Sequence, residues 1–600
     1  MARSRALNQE TVDDLRTKYP LLWSYSFLRF VTLRTKSPVL LDLLARVASG
    51  DKARTATDYV SSFQETTTDL AAAVAFARVY GLNLGTEQAR AEALAIFDYV
   101  AALPKQKIKA TELKYYSFLL MHFGRSARVF EIWKQKSKFT VNKRIFEIVT
   151  TYELQPSEWF AKFQALFGKI GQFLAPVAPG VDAFRTLAPS DKVQKVQGDS
   201  LVSVIMTTYK PGADAEHAIN SILGQSYQNF ELIIVDDGSG QEFHPLLEQF
   251  AKKDSRIRLV LLEKNVGTYG ARNAGWLHAN GRYLTGQDSD DWSHPLRLEL
   301  QVKNLDENLH MVGNWCQGVR VNEHLQIDIR DGNAPLRRGQ NAVAVSMMIR
   351  MSPALLRLGF FDAARKAADS EYIQRLRTAF GNSSFGEIQE ILYVIQARYD
   401  SLSRTDFTPG WRHPNRQMYA SMYSRWHKKL DILSNPAYFM PLTGKRSFPA
   451  PFAFTPEAKR GGVRQFDLLF VGDFFWGSPQ QSWLLKQLQD ASRAGKSVAF
   501  AQVASPFAAA IRVGKLSEEI FKLYEKWAID FVSLDDQNVT IQEVVTTTEF
   551  LAFGEPVLSN LDVKAVRVGA FSDRVQGLDE VAELNAQTIF PKAKLSLDFA

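Results

Sequence analysis

Phe230-Glu231-Leu232-Ile233-Ile234-Val235-Asp236-Asp237-Gly238-Ser239 is an apolar run that breaks into two carboxylates, a glycine and a serine. A short apolar run that ends in turn residues reads as a strand buried on both faces. Upstream, Val202 to Met206 is a second such run, and Ala215 to Gly224 between them has helical spacing. Downstream, a helical stretch around Pro245 to Lys253 leads to a third run, Ile257 to Leu262. Strands alternating with helices of this length imply parallel β-α-β units. In such sheets ligands bind beyond the carboxyl ends of the strands. Thr207-Thr208-Tyr209 and Asp236-Asp237-Gly238-Ser239 fall there.

Further along, Gln287-Asp288-Ser289-Asp290-Asp291-Trp292 packs three carboxylates just after another strand-like run. Like charges at that spacing repel and are costly unless a cation sits between them. Hard oxygen ligands suit Mg²⁺ or Mn²⁺, and an openly held ion also grips the phosphates of a ligand. Asp291 reads equally as a cap for the helix expected over Leu296 to Leu305, and His294 reads as a turn residue.

The 600 residues are too many for one core, so several domains are expected. There is one cysteine, Cys316, which excludes an intramolecular disulfide and fits a reducing compartment. The opening Met-Ala-Arg-Ser-Arg-Ala lacks the apolar region of a secretory signal. No run approaches the roughly 18 to 20 apolar residues of a spanning helix. A cytoplasmic protein is the expectation.

Net charge is 72 − 64 = +8 and unevenly spread, with eleven Lys or Arg against two Glu from Pro104 to Arg144. Such a stretch is either a solvated helix face or a docking surface for an anionic membrane or a partner, each basic residue adding about 1 kcal/mol at a lipid surface. No nucleic-acid-binding motif accompanies it, so nucleic acid is not an expected partner.

The expected organisation is multidomain, α and α/β. Residues 1–185 carry helical periodicity, as in Leu70, Ala73, Phe76, Ala77 and Tyr80 or Leu94, Phe97, Val100 and Ala101, and read as a unit of α-helical hairpins. Residues 186–200 read as a linker and 201–405 as the parallel α/β domain. A helical extension and linker covers 406–464, with its helix around Tyr419 to Leu430. Residues 465–600 form a Rossmann-like α/β unit opening on Asp467 to Gly472, with three strands legible and a first turn, Gly472 to Gly477, that is no dinucleotide fingerprint.

Four pieces fall in a fixed order inside 201–405. They are Val204 to Tyr209, Ile233 to Ser239, Asn265-Val266-Gly267 leading to Ala271-Arg272-Asn273-Ala274-Gly275, and the acidic cluster. In this conjunction the segment resembles a GT-A fold, family 2 inverting glycosyltransferase; Ser221-Ile222-Leu223-Gly224-Gln225-Ser226-Tyr227 through Ser239 is close to that family's consensus. The resemblance implies a nucleotide-sugar donor, a UDP-sugar foremost. It implies that Thr207, Tyr209 and Asp236 cradle base and ribose, that Arg272 meets the diphosphate, and that Asp288 faces the sugar or ribose. Asp290 would be the principal ligand of a Mn or Mg divalent cation, with Asp288 beside it. Asp237 stays open between ligand contact and turn residue, and Gly267 and Gly275 between function and close backbone approach.

Gly359-Phe360-Phe361-Asp362, followed by Ala368-Asp369-Ser370-Glu371-Tyr372 and Arg375, resembles the part of that family that carries the catalytic base. The aligned base is Asp369. Ala368 stands where the family has glutamate, so Glu371 is the reserve. Arg398 to Ser403 resembles the segment closing the domain.

The expected function is metal-dependent inverting transfer of a sugar to a growing cell-surface glycan, a capsule or wall polysaccharide, at the inner face of the cell membrane or in the cytoplasm. Two alternatives are a bifunctional enzyme using the C-terminal unit, which resembles half of a GT-B enzyme, and a non-catalytic scaffold of a glycan-assembly complex.

Overall fold

Nine strands carry the central domain of this computed structural model: β1 Val202–Thr208, β2 Phe230–Asp236, β3 Ile257–Leu261, β4 Tyr283–Asp288, β5 Trp292–Ser293, β6 Gly313–Val321, β7 Asn341–Ala342, β8 Met348–Arg350 and β9 Phe385–Gln396. The structure describes residues 7–104, 108–134, 140–180, 182–329, 341–398, 406–408, 411–429, 438–442, 446–456, 458, 462–474, 481–503, 516–527, 529–555, 557–569 and 577–598. Tyr399 to Ser403, Leu430, Trp476 and Gly477, and parts of the basic stretch from Pro104 to Arg144, lie outside the described residues.

The strand order is β3-β2-β1-β4-β8-β6-β9-β5, with β7 on β6. β1 to β4 pair in parallel, and the near-continuous apolar sequences of β1 and β2 follow from burial on both faces. The register sets Thr207 beside Val235 on one side and Asp288 on the other. Three strand ends therefore meet at one edge. Helix Thr268–Trp276 lies close on this sheet because Gly275 lets it: an added Cβ would stand 2.8 Å from Ile205 and 2.9 Å from Val235. Close approach is thus what Gly275 permits.

The N-terminal region is helical, from Gln9–Lys18 to Pro156–Leu166, and includes Leu70–Leu84 and Glu87–Ala102, where periodicity places them. Its core is continuous with that of the regions that follow. The cluster containing Phe76, Trp133 and Trp159 also contains Trp292, Val319, Val321, Ile391 and Val394 of the central domain, and Phe553, Leu578 and Val581 near the C-terminal end.

The stretch expected as an extension and linker is tied down. A ribbon of β10 Phe407–Thr408 and β11 Trp411–Arg412 precedes the helix Pro414–Lys429. The Tyr419 hydroxyl donates to Asp362 at 2.7 Å, Arg446 pairs with the same carboxylate, and Met440 exchanges backbone hydrogen bonds with Leu358 and Phe360.

The last domain is larger than its legible strands. β12 Arg464–Gly472, β13 Val498–Gln502, β14 Asp530–Phe531, β15 Val539–Thr547, β16 Asp562–Gly569 and β17 Lys594–Asp598 form one parallel sheet, ordered β14-β13-β12-β15-β16-β17. The order reverses between β12 and β15, giving a full six-stranded doubly wound arrangement. The reading that stopped at three strands missed β15, β16 and β17.

Candidate active site

The acidic cluster begins at the last residue of β4 and is held by side chains around it. The Gln287 amide donates to the carbonyls of Asp288 (3.1 Å) and Asp291 (3.0 Å), and Gln287 accepts from the Ser293 hydroxyl. The Asp288 N–H donates to the Tyr393 hydroxyl at 3.0 Å. Asp291 is buried and accepts from the Gln396 N–H at 2.9 Å, so it faces β9. Asp288 and Asp290 are the half-exposed members.

Burial first, then the neighbouring Asp288 charge, pushes the Asp290 carboxyl up to about 6. Asp291 is raised well above the usual range by burial and by both neighbours. Repulsion of this kind is what a hard cation relieves. Among the described residues no group of three His, Cys, Asp or Glu is placed to hold a metal. Asp288 and Asp290 fit an ion that completes its shell with water and phosphate oxygens, as Mg²⁺ does with one or two carboxylates.

Arg272 lies beside the cluster. Its Nη2 is 2.7 Å from Asp288 Oδ1, its guanidinium stands 5.1 Å from the Tyr269 ring, and its side chain is buried. Burial opposes its charge, but Asp288, Tyr269 and Asp369 outweigh burial and raise its pKa. The Nε of Arg272 has no hydrogen-bond partner among the described residues. A buried donor left this way costs roughly 1–3 kcal/mol unless something accepts from it.

Asp369 sits in the first turn of helix Ala368–Phe380, after Ala367 at φ +65. It hydrogen-bonds with Tyr269, whose pKa is raised by burial and then by the Asp369 charge. Its Oδ1 accepts from the Ser370 N–H at 2.6 Å. Glu371, two residues on, points elsewhere: it is fully buried, 2.9 Å from Arg375 Nε and 3.0 Å from His427 Nε2. The Phe361 backbone and the Asn273 side chain clasp each other, N–H to Oδ1 at 3.0 Å and Nδ2 to carbonyl at 2.9 Å. That clasp fixes the loop before Asp369 to the helix of Arg272.

Asp236 and Asp237 end β2 and build its turn. Asp236 accepts from the N–H (3.0 Å) and hydroxyl of Ser239 and is fully buried. Asp237 accepts from the N–H groups of Val266 (2.6 Å) and Gly267 (3.0 Å), orienting the loop into helix Thr268–Trp276. Gly238 at φ +70 leaves no room for a Cβ, which would meet Asn265 N at 2.6 Å. Thr207 is half-buried at the end of β1, and Tyr209 is 51% exposed.

Sequence reasoning overlooked Tyr269 and Tyr393, and it quoted Asn273 and Gln287 within motifs without giving either a role. Tyr269 precedes Arg272 by three residues, a spacing that places both on one helix face and could have revealed it.

The family described as Glycosyl transferase family 2 matches residues 203–344. EpsE of Bacillus subtilis (strain 168), which carries the name of a glycosyltransferase, is 33% identical over 216 residues, covering 34% of this chain and 77% of EpsE. The chain belongs to glycosyl transferase family 2. TuaG of the same organism, named for teichuronic acid biosynthesis, is 41% identical over 107 residues, 18% of this chain and 42% of TuaG. An uncharacterized glycosyltransferase of Rickettsia felis is 38% identical over 133 residues, 22% of this chain and 21% of that protein. The chain thus spans about a fifth of the Rickettsia relative and under half of TuaG. The family 2 match covers the strand-end residues and the acidic cluster; β8, β9 and Asp369 lie beyond it.

Proposed function

We propose that the chain is a metal-dependent, inverting glycosyltransferase that moves a sugar from a nucleotide-sugar donor to a cell-envelope polysaccharide. The observation that carries this reading is the sequence of charges Asp290, Asp288, Arg272 and Asp369 across one sheet edge, brought together from the end of β4 and from two helices. A Mn or Mg ion at Asp288 and Asp290 would supply Lewis-acid stabilisation to the departing diphosphate. Arg272 offers its remaining N–H donors to phosphate oxygens. Thr207 and Tyr209 supply a hydroxyl and an aromatic face for the nucleoside, while Asp236 and Asp237 act by shaping the turn beneath it.

Asp369 takes the proton of the acceptor hydroxyl; the freed oxygen bonds to the anomeric carbon from the face opposite the diphosphate. The bond from that carbon to the diphosphate oxygen breaks, its electron pair leaves with the nucleoside diphosphate, and configuration inverts. Glu371 is not the base in this reading, because Arg375 and His427 hold it inside the protein. The envelope-polymer acceptor is supported by the name of TuaG. Among the described residues no helix is long and apolar enough to cross a membrane; a peripheral contact through the basic stretch from Pro104 to Arg144 suits a membrane-bound acceptor. Screening nucleotide sugars for nucleoside diphosphate release with and without Mn²⁺ tests the reading. Release by no donor overturns it.

A further inference from the structure

We propose that Asp406 is a positioning residue for Asp369, acting through Lys366 and the backbone between them. The inference rests on the reading of Asp369 as the base and adds to it a group from outside the strand-end site.

Asp369 follows a backbone conformation that does not hold itself. Ala367 has φ +65, in the left-handed region that an alanine rarely adopts, and it caps the helix whose first turn carries Asp369. Such a residue persists only where its surroundings over-determine it. Two contacts just before it meet that need. The Arg365 N–H donates to the Phe454 carbonyl at 2.8 Å. Lys366 Nζ donates to both carboxylate oxygens of Asp406, at 3.0 and 3.2 Å. Both partners come from the stretch that follows the central sheet.

Asp406 is well placed to keep this grip. It is 3% exposed, and Arg416 Nε donates to its Oδ2 at 2.7 Å. Burial opposes its charge, but Arg416 and Lys366 outweigh burial and hold the carboxyl below the usual range. A charge-assisted contact on a buried carboxylate is a firmer restraint than an exposed ion pair. Asp406 is anchored in turn. The His413 N–H donates to its carbonyl at 3.0 Å, and His413 Nε2 donates to Asp535 of the last domain at 2.8 Å. On helix Pro414–Lys429, Arg425 pairs with Glu518 and stands 4.7 Å from the Phe521 ring, both on helix Glu518–Trp527 of that domain. Release of Lys366 thus frees Ala367 to leave the left-handed region, and the Asp369 carboxylate shifts with the first turn of its helix.

The test uses the full-length protein with Mn²⁺ and the nucleotide sugar that releases nucleoside diphosphate in the screen above. Asp406→Asn should lower kcat roughly 10- to 100-fold, the loss expected when a reacting group is misplaced by about 1 Å. KM for the donor should stay unchanged, as should calorimetric binding of UDP and GDP with Mn²⁺. Lys366→Met should reproduce this split, and Lys366→Arg should keep more turnover than Lys366→Met. Combined with Asp369→Asn, Asp406→Asn should cost nothing further, because residues that act as a unit are not additive. A loss that multiplies with that of Asp369→Asn overturns the inference, as does an equal loss of nucleotide affinity. Folded Asp406→Asn and Lys366→Met with wild-type kcat overturn it too, and the transferase reading stands. Should Asp406→Asn fail to fold, the two Lys366 variants decide, since Arg416 keeps Asp406 paired in both. Wild-type turnover by Asp369→Asn, or release from no donor, instead removes the reading beneath the inference and the inference with it.

Discussion

Nη2 of Arg272 lies 2.7 Å from Oδ1 of Asp288, and the charge of Asp369 acts on the same guanidinium. One arginine thus joins the strand end that bears the acidic cluster to the helix that bears the proposed base. A lysine could not serve both, because its ammonium lacks the planar fork that reaches two partners at once.

Asp290→Asn should abolish transfer and leave the fold intact. Asp290 is a carboxyl that burial and Asp288 already disfavour as an anion, so the amide removes a repulsion, and its oxygen can still accept the hydrogen bond that the carboxylate takes from its own backbone N–H. Turnover should also vanish in EDTA and return with Mn²⁺. Near-normal release of nucleoside diphosphate in the variant, or in the wild type with EDTA, would refute the metal assignment.

Asp369→Asn and Glu371→Gln should fail in different ways. The first should lose a factor of about 10²–10⁴ in kcat with donor affinity kept, the loss expected for a general base. The second should lose stability, because Arg375 and His427 are buried around Glu371 and would be left without their carboxylate. Breaking a buried pair from one side costs about 3–5 kcal/mol. Calorimetric melting with parallel kinetics separates the two; a stable but inactive Glu371→Gln would move the base to that residue.

Strands β1 and β2 of the central sheet were legible because both their faces are buried, which leaves the plain apolar runs Val202–Thr208 and Phe230–Asp236, whereas β5 to β9 were not read from the sequence. β16 was not, because Lys564 and Arg567 interrupt its apolar positions. The acidic cluster announced itself through charge density. The partner that fixes Glu371 did not: His427 lies 56 residues away, and the clasp of Asn273 on Phe361 spans 88. Pairings of that span are set by tertiary packing, which local pattern does not encode.

Removing residues 1–185 should leave an aggregating remainder. Trp292, Val319, Val321, Ile391 and Val394 share a core with the helical region, and each fully buried side chain of this size contributes about 1.5–3 kcal/mol. Size-exclusion chromatography of a chain beginning at Lys192 checks this. A monomeric, folded remainder with full transferase activity would show the shared core to be dispensable.

Acid should weaken the same interface, and His294 says in which pH window. Its ring is fully buried and stacks on Phe167 of the helical region at 5.9 Å. Nε2 donates to the Ile170 carbonyl at 3.2 Å, and Nδ1 accepts from the Leu296 N–H at 3.2 Å, a pattern only the neutral ring can make. Burial lowers its pKa to about 3, against 6.5 for an unfolded histidine. Between those values the unfolded chain binds a proton that the folded chain refuses, so stability rises with pH. Its contribution is complete above about 6.5 and falls away toward pH 3, at up to roughly 1.4 kcal/mol per pH unit for one group. His217, held down to about 4 chiefly by burial, works in the same direction. Urea unfolding followed from pH 7 to 4 should show this slope, and His294→Gln, which keeps a donor and an acceptor but cannot take up a proton, should flatten it. An unchanged slope in that variant would mean that other groups govern the acid response of the interface.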